Sequence, residues 1–523
     1  MIKIDELNKE TQELFRAAVA NPLEVDDVNR AFTQPATATS GLIGYDLEAP
    51  SKKIYPVLTP LRNRITRVTG GFGIQSNWNV VSGINITNIG IGVEERLRGG
   101  INSFATNRYD AGFAELGLED YITDKAQYAS RKYEDVLADC QFMLLQAIMI
   151  QEEFLDLGGM STYGLGQPAN APTCTTAASG GTIADSASYY VAVVPLNLAG
   201  YQQIAGWNNG ITGHTLNFAS PAALVQQVAR INADGTTTTY GAGVGRPSAI
   251  SSICTVGSTG SNKNVINASI TPIAGAMGYA WYMGTSSSTA ALYLTGVSTT
   301  ANVTLGTATF PANTANQLLS TLAATDYSAN ALVYDGILTQ VLKSGSGSAN
   351  YVAAAGEQLT SDGAGGITQF NTVFTNMWNE YRLCPDEVYV NAQQYMDITQ
   401  IVIKNGGAPL IRYNFEAGNS VNPALSSGTA VTSILNPIGG KSVKVTIHPN
   451  MAPGTLLFWT DSVPYPNNAI GTIVMKHLRY DYRAIQWMRV HRSEDFGVYF
   501  DGVLKNYFPQ AFAVITNITS GHD

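Results

Sequence analysis

The densest run of ionisable residues is MKHLRYDYRAIQWMRVHRSEDFGVYFDG, residues 475–502. It sets His477 and His491 among Arg479, Arg483, Arg489 and Arg492. Histidine beside carboxylates is the usual equipment for acid–base work near neutral pH, and clustered arginine is the usual equipment for phosphate. Strand-like alternation puts several of these charges on one sheet face, while Glu494 and Asp495 dilute the positive character. A solvated sheet face and an intersubunit salt-bridge surface fit this run better than a nucleic-acid contact does.

The remaining candidates for chemistry are sparse. His214, His448, His477, His491 and His522 stand at no metal-ligand spacing from one another or from cysteine, and no GxSxG elbow supplies a nucleophile. The loop SDGAGGITQF (361–370) places glycines before a helix, which can hold an anion at the helix N-terminus. No GK[ST] follows, so a helix-capping turn is the expectation. Cys140, Cys174, Cys254 and Cys384 form no CxxC pair. Cys140 reads as a buried thiol on a helix. Cys174 and Cys254 could pair inside a β-rich segment, although the rest of the chain reads as intracellular, where disulfides are rare. No catalytic, cofactor-binding or metal-ligating residue is therefore expected.

The elements around these residues are more informative. Of the 523 residues only 13% are charged, and the formal net charge is −9, which argues against a chain built to grip nucleic acid. The start, MIKIDELNKETQELF, has no signal-peptide core, and no window is apolar enough for a bilayer span; a soluble protein made in the cytoplasm is expected. Residues 1–65 read as an arm: a short amphipathic helix with Leu7, Leu14, Phe15 and Ala18 on one stripe, then a proline-punctuated stretch. Residues 66–125 read as an extended β-hairpin with VEERLRGG, holding Glu94, Glu95, Arg96 and Arg98, at its centre. Residues 126–165 carry a long helix, expected over about 130–157, with Leu137, Cys140, Leu144, Ile148 and Leu155 at helical spacing and Gly158-Gly159 as its stop.

Between residues 166 and 330 the chain holds only six charged side chains, Asp185, Arg230, Asp234, Arg246, Lys263 and Asp326. Strand-like runs such as SYYVAVVPL, GYAWYMG and AALYLTGV alternate with turns, the pattern of an inserted all-β sandwich. Residues 331–470 return to a mixed pattern: ITQFNTVFTNMWNEY sets Ile367, Phe370, Phe374, Met377, Trp378 and Tyr381 on one helix face, DEVYVN follows as a strand and AQQYMDITQIV as a helix. Residues 471–523 read as strands. The body is thus α+β.

This order of parts resembles the major capsid protein of tailed bacteriophages, the Hong Kong ninety-seven type shell fold. ASRKYEDVLADCQFML is similar to the entry of its spine helix and LVYDGILTQV to the segment after the spine. RLCPDEVYVNAQQYMDITQIV is similar to an axial-domain strand and helix, GGKSVKVTIHPNMAPGTLLFWTDS to the β-region after it, and RVHRSEDFGVYFDGVLKNYFPQAFAVITNI to the final strands. The resemblance covers about 350 residues through order and pattern, not an invariant signature. It implies an N-arm, an extended loop, a spine helix, peripheral and axial domains, and an immunoglobulin-like or fibronectin-like insertion. It implies self-assembly into hexamers and pentamers of an icosahedral virion capsid, built in the host cytoplasm and enclosing double-stranded DNA without sequence-specific contacts. Portal, scaffolding and decoration proteins are the implied partners, and no cofactor is implied. The range 70–120 contains no lysine, so the lysine crosslink of some relatives is not expected, and an arm beginning at Met1 gives no reason to expect maturation cleavage. On this reading Leu7, Phe15, Glu94, Glu95, Arg96, Arg98, Arg479, Arg483, Arg489, Arg492 and Glu494 are subunit-interface candidates. The alternatives are an encapsulin-type nanocompartment shell and a surface adhesin or glycan-binding β-sandwich protein.

Overall fold

The computed structural model describes residues 57–521 apart from 85–91, 132, 206–222, 259, 261, 307–316, 407–410, 415–423, 428–429 and 467–468. The helix expected at residues 5–20, with Leu7 and Phe15, lies outside the described residues, as do His214 and His522. The chain divides into two compact units, 1–53 with 128–135, and 54–127 with 136–523. In the first, the described part is a helix end, residues 128–130, running into a turn, with the Arg131 guanidinium 4.5 Å from the centre of the Tyr128 ring.

The second unit is organised around the helix Val136–Gly158, about 35 Å long at 1.5 Å per residue. It starts later than expected: Asp124–Ser130 is a separate short helix, and Glu134-Asp135 precede the new start, where acidic residues favour a helix N-terminus. Ile148, Leu155 and Leu157 are buried, whereas Phe142 and Met143 nearer the start are exposed. Cys140, expected to be buried, is only half-buried.

Two sheets frame this helix. One has four strands in the order Thr66–Thr69, Val474–Gln486, Ser493–Asn506, Ala114–Thr123, with the first pairing parallel and the others antiparallel. The other has six, in the order Tyr351–Val352, Ala513–Thr516, Leu456–Trp459, Glu387–Val390, Lys441–Ile447, Ser433–Asn436. The helix Thr368–Tyr381 buries Phe370, Val373, Phe374 and Met377, and Phe370 and Phe374 meet Phe458 edge-on at 5.0 and 5.8 Å. Both sheets feed one continuous apolar core.

The expected hairpin is shorter than residues 66–125. Gln75–Ile84 pairs with Phe104–Gly112, while Thr66–Thr69 and Ala114–Thr123 belong to the four-stranded sheet. A bulge between Val81 and Gly83 bends the ribbon. Its base is fixed: Trp78 stacks on Tyr109 and meets Tyr507 edge-on at 6.3 Å, and Ser76 Oγ hydrogen-bonds His477 Nδ1 at 3.0 Å.

The low-charge segment leaves and re-enters through two adjacent strands of chain. The Gly336 N–H donates to Gly159 O at 2.8 Å, Asn330 N–H to Met160 O at 2.9 Å, and Leu165 N–H to Ser328 Oγ at 2.8 Å. Glycine is required here: a Cβ on Gly159 would meet Tyr334 O at 2.4 Å, and one on Gly336 would meet Leu155 O at 2.4 Å. The segment contains a three-stranded sheet (Asn302–Leu305, Val265–Ser269, Thr173–Ala177) and a four-stranded one (Leu292–Ser298, Gly278–Gly284, Ser188–Leu196, Cys254–Thr255).

It departs from an all-β sandwich in two ways. A helix, Leu198–Ala205, follows the first long strand and inserts Leu198 and Tyr201 into the main core. The four-stranded sheet is also buried on both faces: Val191, Val193 and Trp281 enter one cluster, and Ala192, Val194 and Tyr282 another. Burial on both faces explains why SYYVAVVPL is continuously apolar instead of alternating.

Candidate functional site

Three acids lie on the last two turns of the long helix, Glu152, Glu153 and Asp156, all fully buried. Acidic groups near a helix C-terminus oppose the helix dipole, and burial adds a desolvation cost. The surroundings answer both. Glu153 accepts from the backbone N–H of Leu61 (3.0 Å) and of Arg62 (2.7 Å), so it caps the short helix Pro60–Arg64. His448 Nε2 lies 2.7 Å from Glu153, and His448 Nδ1 accepts from Asn450 N–H at 3.1 Å, which places the ring proton on Nε2.

Glu152 accepts from Arg67 at 2.6 Å and from the Tyr482 hydroxyl, with Arg62 at 3.4 Å and Lys476 at 3.5 Å. Burial alone would raise its carboxyl, but Lys476 and Arg67 outweigh that and hold it below the ordinary value. Asp156 accepts from Lys476 and, at 2.9 Å, from the Tyr334 hydroxyl. Its Oδ2 is buried without a hydrogen-bond partner. Burial pushes the Asp156 carboxyl up to about 7 despite Lys476, with Glu152 adding to the rise.

The cations come from two distant parts of the chain. Lys476, only 1% exposed, sits over the Tyr334 ring at 4.2 Å. Arg67 adds Asp481 (2.5 Å) and lies over Tyr482 and Phe500 at 4.9 and 5.1 Å. Arg64 reaches Asp461 at 2.7 Å, the Tyr389 hydroxyl at 2.7 Å and Glu387. The cluster thus clasps the segment 60–67, the end of the long helix and both sheets together. It is a mechanical joint: apart from Asp156 Oδ2, the polar groups of these side chains face other groups of the chain.

A pH signature follows. The Asp156 carboxyl titrates at about 7 when folded against about 3.8 ordinarily, so between those values the folded chain holds the extra proton. Stability from this group therefore declines as pH rises from about 4 to about 7 and is level above. Glu152 acts in the opposite sense and at lower pH: its contribution is present above its ordinary value and lost as pH falls below it. Asp156→Asn is expected to flatten the decline, shifting the difference in urea-unfolding free energy from wild type by on the order of 2–4 kcal/mol between pH 5 and pH 8. Identical pH slopes in the two proteins would remove Asp156 from this role.

The sequence-derived candidates fall elsewhere. Glu94, Glu95, Arg96 and Arg98 are exposed at the outer end of the hairpin, where Leu97 N–H closes a turn on Glu94 O at 3.1 Å and Arg96 takes a left-handed φ of 71°. Arg479 is tied inside the chain, to Asp501 (2.6 Å) and Gly73 O (3.0 Å). Arg489 pairs with Asp124 (3.4 Å) and Glu494, and Arg492 with Asp124 (3.7 Å). Arg483 is exposed opposite Tyr499. At the loop SDGAGGITQF the anion position is filled by the chain itself: Asp362 accepts from the N–H groups of Ala364 and Gly366 and from Asn371 Nδ2, each at 2.8 Å. Among the described residues no group of His, Cys, Asp and Glu is arranged to hold a metal, and no helix is long and apolar enough to cross a membrane.

No family model matches the chain, and no curated protein matches it. Among solved structures, the capsid of a native GTA particle is similar with a TM-score of 0.40 and 8% identity, covering 94% of this chain and 100% of that one. The capsid of Myoviridae phage XM1 gives 0.38 and 9%, over 92% and 100%. Mycobacterium phage Bobi gives 0.37 and 8%, over 93% and 97%. With TM-scores below 0.5, function has to be read from the chain's own geometry.

The acids of the joint are absent from the sequence-derived candidates, although QEEFLDLGG carries a signal. Three acids among apolar residues at a helix C-terminus need cations to offset both dipole and burial. RNRITR, 62–67, and Lys476 supply them, at a sequence distance that no local pattern spans.

Proposed function

We propose that this chain is the subunit of a closed protein shell, a major capsid protein of the icosahedral kind that encloses phage double-stranded DNA. The observation that carries this reading is the projecting hairpin. Together with its approach and outer loop it presents Phe72, Ile74, Val81, Val93, Leu97, Ile101 and Phe104 to solvent, with Ile101 at 90%, Phe72 at 86% and Ile74 at 84% exposure. A two-stranded ribbon is marginal by itself, and an apolar surface of this extent calls for a partner.

A neighbouring copy supplies that partner in a hexamer or pentamer, where many such overlaps multiply weak contacts. The buried ionic joint keeps the body rigid beneath the projecting ribbon. The net charge of −9 suits a container that surrounds DNA without gripping it. Portal and scaffolding proteins are the partners this role requires, and the inserted domain is where a decoration protein would meet the shell.

Negative-stain microscopy of the expressed chain, alone and with a scaffolding protein, tests the reading. Closed shells or rings of five and six subunits are expected. A monodisperse monomer under every condition, including with the scaffold, overturns it.

A further inference from the structure

We propose that Cys174 and Cys254 form an oxidisable pair whose disulfide staples together the two sheets of the inserted domain. Cys174 lies on Thr173–Ala177, the edge strand of the three-stranded sheet, and Cys254 on Cys254–Thr255, the edge strand of the four-stranded sheet. The two residues belong to one apolar cluster, Cys254 buried and Cys174 half-buried against it. Both are free thiols, and the two short strands that carry them pack against each other. Edge strands are the weak borders of a sandwich, and a covalent bond there joins both borders at once. It would close a loop of about 80 residues, removing much of the unfolded chain's freedom.

The reaction balances with a glutathione disulfide oxidant. The half-buried Cys174, as thiolate, attacks one sulfur of glutathione disulfide and expels one glutathione. The Cys254 thiolate then attacks the Cys174 sulfur of the mixed disulfide and expels the second. Two protons and two electrons leave the protein and appear as two reduced glutathiones. Burial pushes the Cys174 thiol up to about 11 and raises Cys254 as well, so the thiolates are scarce at neutral pH and the reaction quickens toward alkaline pH.

The test uses the full chain treated with glutathione disulfide at alkaline pH, then digested without reduction and mapped by mass spectrometry. Two of the four thiols are expected to be lost, in one crosslinked peptide joining Cys174 to Cys254, with Cys140 and Cys384 still free. A thermal transition should rise by about 5–15 °C and return on reduction, while Cys174→Ser shows no rise under the same oxidant. The proposal is overturned if Cys174 and Cys254 end as separate glutathione adducts or unreacted thiols, if either joins Cys140 or Cys384, or if the crosslink forms with no thermal shift.

Discussion

Lys476→Met is expected to destabilise the folded chain by about 3–5 kcal/mol, read as a lowered urea midpoint at pH 9, where the wild-type Asp156 carboxyl, at about 7 beside Lys476, is ionised. The methionine keeps most of the apolar stem against Tyr334 and Phe500, so the loss isolates the charge. Without Nζ, Asp156 loses its cation and Glu152 keeps only Arg67 and the more distant Arg62. Removing one partner of a buried pair costs more than the pair contributes, because the remaining carboxylate must either stay charged in the low-dielectric interior or take up a proton at a pH that opposes it. A second substitution tests that cause. Adding Asp156→Asn removes the stranded carboxyl while leaving an amide to accept from Tyr334, and should recover more than half of the loss. A single-variant cost under about 1 kcal/mol, or no recovery in the double variant, would mean that the cluster is not a charge-balanced joint.

How far the sequence discloses this architecture depends on the range of the forces involved. The helix Thr368–Tyr381 was legible because its apolar face repeats every three to four residues, and Phe370, Phe374 and Met377 are buried as that period requires. Trp378 sits on the margin of the same stripe and stays 37% exposed. The strand Glu387–Val390 was legible between two helices. The hairpin was legible in kind but not in extent, because Thr66–Thr69 and Ala114–Thr123 alternate like the ribbon yet pair with strands some 400 residues away. The segment 166–330 stood out in the sequence by its low charge, whereas its helix Leu198–Ala205 was hidden in a run that reads equally well as strand. The ionic joint was illegible because its acids sit on one helix and its cations on two remote segments. Only folding brings Arg67 and Lys476 to the same carboxylate.

Shortening the hairpin should abolish assembly while leaving the subunit folded. The cut is dictated by register: Val80 faces Asn107, so residues 81–106 can be replaced by Asn-Gly, a two-residue turn matched to the twist of a hairpin. The remaining ladder keeps Trp78 on Tyr109 and Tyr507 and keeps Ser76 on His477, so the base is untouched. The removed stretch carries Val81, Val93, Leu97, Ile101 and Phe104, all exposed in the single chain. Burying such side chains contributes about 1.5–3 kcal/mol each, so five of them supply on the order of 10 kcal/mol gross per contact. Immobilising the ribbon offsets part of that, but repetition around a closed ring makes the balance steep. The far-ultraviolet spectrum and urea midpoint of the shortened chain should match wild type, because the described residues that are lost belong to no core cluster. Sedimentation should show only the unassembled subunit under the conditions in which wild type is expected to form shells. Normal shells from the shortened chain would show that the hairpin is not the element that joins subunits, and the apolar hairpin tip at Trp487, Met488 and Val490 would become the next surface to remove.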